Sequence, residues 1–151
     1  MKRIRKAGIP LLLLVTIQAL VGLTAIMGGA KLVSDPTGAS AALPLVWLAG
    51  SPFPDYRIPG VVLLVVIGVG TIVAGVIVLR QRRYAKAAAF GSGLMLIAYI
   101  TVEVWVVGLR TVLQPLYFAL GLAMPALGAM VRRASDIPRF GMHGRRNKEP
   151  A

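Results

Sequence analysis

Six polar residues in this 151-residue chain have types and positions that could do chemistry: Tyr99, Glu103, Arg110 and Gln114 in its C-terminal half, and Asp55 and Arg57 farther back. Ionisable side chains inside apolar runs are costly and mark places where an ion, a proton or a polar ligand is handled. On a helix, Tyr99 and Glu103 lie one turn apart. Arg110 falls two turns beyond Glu103 on roughly the same face if the helix continues through Gly108. The group therefore predicts a small site in which Glu103, paired with Arg110 or Arg57 and flanked by Tyr99 and Gln114, binds a proton, a cation or a polar ligand. A purely structural alternative uses the same residues as an ion pair that locks a short hairpin to a long loop near headgroup depth. Asp55 stands just before a helix start, where a carboxylate caps the first turn and answers the positive end of the helix dipole; substrate contact is the alternative.

Reaction centres of other kinds are not legible. The chain has no cysteine, which removes thiol and iron–sulfur chemistry, and its one histidine, His143, sits in a polar tail. No nucleophile stands beside a base, and the glycines follow no phosphate-loop spacing. No catalytic, cofactor-binding or metal residue is assigned, and the chain reads as non-enzymatic. Small drug-efflux exporters also have four spans, but they carry a carboxylate midway along the first. Here that position is taken by Gln18, an amide expected to bond across to a neighbouring helix.

The elements that must position these residues are apolar blocks. Mean hydropathy is +0.78 with 57% hydrophobic residues, and the apolar residues come in runs rather than at amphipathic spacing. Four spans are predicted, at Ala7–Gly29, Ile58–Leu79, Ala87–Val107 and Val112–Val131, each near the roughly 20 residues needed to cross about 30 Å of hydrocarbon. The fold class is all-α, a polytopic membrane protein whose four-helix domain fills residues 1–131. A basic tail, 132–151, is expected to be disordered.

Charge orders the spans. The net charge is +12, and every lysine and arginine except Lys31, Arg57 and Arg110 falls before the first span, between the second and third, or after the fourth. By the positive-inside rule this places both termini in the cytoplasm, with the 30–57 loop outside. The cations thus account for topology and for attraction of the tail to anionic inner-leaflet lipid. Nucleic acid is not expected as a partner, because no aromatic residues interleave the basic ones. The start MKRIRK could also open a secretory signal cut near Gly28 or Ala30, but the apolar core from Ile9 to Met27 exceeds the roughly 7–15 residues of such signals, which favours a retained anchor.

The long loop carries most of the local pattern. Asp35-Pro36-Thr37-Gly38 reads as a type I turn. Ser40–Ala49 reads as a short helix at the outer lipid boundary, or alternatively as a re-entrant dip into the bundle. Pro59 suits the first turn of the second span, and Pro125 is expected to kink the fourth. Tyr56, Trp105 and Tyr117 are expected in an aromatic belt, and Met95, Met124 and Met130 in packing or lipid contacts. Pairs of small residues four apart, Gly70/Ala74, Ala87/Gly91, Ala89/Gly93 and Ala119/Ala123, are candidate helix contacts.

The loop text GGAKLVSDPTGASAALPLVWLAGSPFPDYRIPG resembles the signature loop of uncharacterised small four-span bacterial integral membrane proteins, which runs GG–L–DP–G–LPL–WL–SPF–DY–IPG, and Leu113–Tyr117 is similar to the start of their fourth span. The resemblance covers about a third of the chain. It implies topology and a bacterial inner-membrane location, and it transfers no activity. The expected function is a non-enzymatic membrane component that associates with lipid, a membrane protein partner or another copy of itself. The competing class is a small transporter or channel subunit working through Glu103 and Arg110.

Overall fold

The computed structural model describes residues 8–80 and 82–131. Within them lie four helices long and apolar enough to cross a membrane: α1 Ile9–Ser34, α2 Arg57–Arg80, α3 Ala85–Val107 and α4 Leu113–Met130. Their length and composition are those of a multi-pass membrane protein. The basic clusters before residue 7 and after residue 131 lie outside the described residues.

Helix ends follow local chemistry. Pro10, Pro59 and Pro115 each sit in a first turn, where a missing N–H leaves no hydrogen bond unmade. α1 stops where Asp35-Pro36 begins a turn, so it ends five residues beyond its predicted limit and the loop shortens to 35–56. Pro36 cannot continue the helix, while Ala30–Ser34 can. α3 ends at Gly108, whose φ of 78° lies in the left-handed region that glycine adopts without strain. This glycine breaks the helix, so Arg110 does not continue the Tyr99–Glu103 face of α3.

Ser40–Ala49 is not one helix. It forms two single turns, Ala39–Ala41 and Leu45–Leu48, separated by Ala42 in a left-handed conformation and by the extended Pro44. Inside α2, residues Val62–Val69 widen to π-helical geometry.

α1 and α2 form one antiparallel hairpin, α3 and α4 another. Close approach defines both. A Cβ on Gly29 would stand 2.6 Å from the Leu64 backbone nitrogen, and one on Gly93 would stand 2.5 Å from the Gly121 carbonyl oxygen. Ala89 and Gly93 are therefore a working small-residue pair. Ala87/Gly91 is not, since Ala87 is exposed and Gly91 faces open space. The hairpins join through α1 against α4, and through α2 against α3 mainly along Gly70–Arg80. Leu14, Val21, Val78, Ala85, Ala89, Leu96 and Met124 fill the core. Leu12, Leu23, Phe90 and Trp105 project outward, as lipid-facing side chains do.

Candidate functional site

The loop forms a cap with a small core of its own. The Gly38 N–H donates to the Asp35 carbonyl at 3.0 Å, closing the expected turn, and the Asp35 carboxylate accepts from the Thr37 hydroxyl and from the Ser40 N–H. The bond from the Thr37 hydroxyl, followed by that from Ser40, holds the Asp35 carboxyl below its usual range. Tyr56 is not an exposed belt residue. It is 4% exposed, packs with Leu32 and Leu48, and donates its hydroxyl to the Pro44 carbonyl at 3.1 Å. Burial, and secondarily the nearby Glu103 carboxylate, push its phenol upward. Asp55 accepts the N–H of Arg57, the first residue of α2, at 2.9 Å. It serves the helix start, and neither it nor Arg57 lines the cavity described below.

Gln114 organises the short α3–α4 connection. Its carbonyl oxygen accepts the backbone N–H groups of Arg110 at 2.8 Å and Thr111 at 3.3 Å, while its amide nitrogen donates to the Gly108 carbonyl at 3.1 Å and to Glu103 at 3.3 Å. One side chain thereby satisfies the polar backbone exposed by the break at Gly108. Arg110 does not pair with Glu103. Its Nε donates to the Val107 carbonyl at 3.0 Å, and its guanidinium lies over the Trp47 ring at 5.5 Å. The cause is the break: beyond Gly108 the chain turns, and Arg110 is carried toward the loop.

Below the cap, the loop half of the bundle holds a cavity of about 650 Å³. Its walls are overwhelmingly apolar, drawn from all four helices and from Leu43, Trp47, Leu48 and Phe53 of the loop. Tyr99, Glu103, Arg110 and Gln114 all line it, as do Thr24 and Tyr117. Four of the six sequence-selected residues therefore share one chamber. Ile58 and Val66 on α2 and Met95 and Val102 on α3 line the chamber and are also 54, 41, 49 and 51% exposed, so it opens sideways between those helices. On the opposite side the Tyr117 hydroxyl, not an aromatic-belt group, donates to Thr24 at 2.7 Å and ties α4 to α1.

The chamber ends at Val21, Ala25 and Leu96. Beneath them the bundle is filled. Gln18 is fully buried and donates to the Ser92 hydroxyl at 3.1 Å, the cross-helix bond expected of it, and Ser92 in turn contacts the Met124 sulfur at 3.5 Å. Sequence reading did not foresee the chamber or the roles of Thr24 and Tyr117. The signal available for the close α1–α2 contact was the spacing of Gly22 with Gly29 and of Gly60 with Gly68, seven and eight residues apart. Among the described residues no three potential metal ligands gather. No family model, curated protein or solved structure matches this chain.

Proposed function

We propose that this is a non-enzymatic, lipid-associating component of the bacterial inner membrane, with both termini cytoplasmic, the 35–56 loop outside, and the chamber holding the chain of a membrane amphiphile. The observation that carries the reading is the chamber itself: an apolar slot of about 650 Å³ that opens toward the bilayer between α2 and α3, with its two charged side chains, Glu103 and Arg110, toward the capped end. Such a shape buries hydrocarbon and leaves a headgroup near charge. The alternative of a channel or transporter draws support from Glu103 facing the chamber. It lacks a path through the half of the bundle filled by Leu14, Gln18, Ser92 and Met124. Sidedness follows from the distribution of lysine and arginine. The four-span bacterial membrane proteins whose loop resembles this one are the family in which we place it.

Ala98→Trp tests the reading, because Ala98 is exposed and lines the chamber near its open side, where an indole fits without entering the packed core. Mass spectrometry of protein purified in mild detergent is expected to find lipid retained by the parent chain and much less by the variant, with helicity unchanged. Equal lipid content in both would sink the proposal.

A further inference from the structure

We infer that the chamber selects a phospholipid whose headgroup ends in an ammonium bearing N–H groups, with its phosphate at Arg110 and its ammonium at Glu103. The inference rests on the lipid-holding reading above and names its ligand class. Both charges line one chamber, yet they do not pair with each other. Glu103 receives a single hydrogen bond, from Gln114 to one carboxylate oxygen, and its other oxygen has no partner among the described residues. Arg110 spends Nε on Val107 and lays its guanidinium over Trp47, and its two terminal nitrogens make no hydrogen bond among the described residues. A cation and an anion held on one rim, each lacking a counter-charge, complement a zwitterion.

The two ends of that zwitterion fit the two groups for different reasons. The guanidinium presents its remaining donors to phosphate oxygens in a planar fork. The carboxylate accepts only, so it rewards an ammonium with N–H donors over a quaternary one that has none. The acyl chain continues into the slot between Leu63, Val66 and Leu96, and the side opening between α2 and α3 admits it from the bilayer without passage through water.

The test compares phospholipids with identical chains and ethanolamine, N-methyl, N,N-dimethyl or choline headgroups, offered in equal amounts to the full chain in mixed micelles at neutral pH and quantified on the protein by native mass spectrometry. Retention is expected to fall along the series, by roughly tenfold from ethanolamine to choline if one charge-assisted hydrogen bond is lost. Glu103→Gln is expected to flatten the series by lowering ethanolamine-lipid retention toward that of the choline lipid. Equal retention of all four headgroups by the parent chain, or an unchanged preference in Glu103→Gln, overturns the headgroup inference and leaves the lipid-holding reading intact. A parent chain that retains no phospholipid overturns both. Should Glu103→Gln fail to fold, the methylation series on the parent chain decides alone.

Discussion

Gln114 shows how one side chain can replace a missing turn of helix. It is 3% exposed, and its amide serves two backbone donors, one backbone acceptor and a carboxylate. Removing it leaves the N–H groups of Arg110 and Thr111 unpaired beside an apolar chamber, where each lost bond costs about 1 kcal/mol or more. Gln114→Ala is therefore expected to lower stability by about 2 kcal/mol, read as an earlier midpoint in detergent-denaturant titration, and to loosen the Gly108–Val112 connection. A midpoint unchanged from the parent would mean that water serves these groups equally well. Spacing alone brought Tyr99, Glu103, Arg110 and Gln114 to notice. It could not say that Gln114, not an arginine, would be the partner of Glu103, because that depends on where the chain goes after Gly108.

At the scale of elements, the loop is a folded cap whose order depends on two titrating groups at opposite ends of the pH range. The Asp35 carboxyl lies below its ordinary value because the Thr37 hydroxyl and Ser40 N–H bind the charged form. Its contribution is present above the unfolded value near 3.8 and is lost as pH falls through the lowered folded value. Tyr56 lies above its ordinary value of 10.0, so its contribution is complete below that pH and disappears as pH rises through the folded value. Hydrogen exchange of the loop amides is expected to accelerate at both extremes. Tyr56→Phe should remove the alkaline limb and cost about 1 kcal/mol through the lost bond to Pro44. Persistence of the alkaline limb in that variant would assign it to another group. The turn at Asp35–Gly38 was legible because Asp, Pro and Gly occupy positions with fixed backbone demands. The two separate turns within Ser40–Ala49 were not, since they are divided by Ala42 in a left-handed conformation, which its residue type does not announce as a glycine would.

For the whole molecule, the decisive feature is uneven packing. α2 lies against α1 along its length but meets α3 chiefly through Gly70–Arg80, so the loop half of the bundle is left open between the hairpins. The π-helical stretch Val62–Val69 lies in that half, and four of its residues, Val62, Leu63, Val66 and Ile67, line the chamber. Four spans return the chain to its starting side, and the proposed sidedness puts both ends in the cytoplasm. Reporter fusions at residue 1 and at residue 151 are expected to be active only as cytoplasmic reporters, whereas a reporter inserted at Gly50, where the loop turns with φ 85° and nothing surrounds the residue, should be active outside. Reporters at the two ends that signal opposite sides would refute the topology.

Existence, number and approximate limits of the helices were determined by the sequence alone, because the free energy of placing about twenty apolar residues in hydrocarbon is a sum over composition and needs no knowledge of neighbours. Helix ends were legible for the same kind of reason wherever proline or glycine imposed a backbone geometry. Only the tertiary structure decided which polar groups meet, where the chamber lies and that Tyr56 and Tyr117 turn inward. Those outcomes follow from how closely particular backbones approach, at Gly29 against Leu64 and at Gly93 against Gly121, and such distances depend on two segments at once.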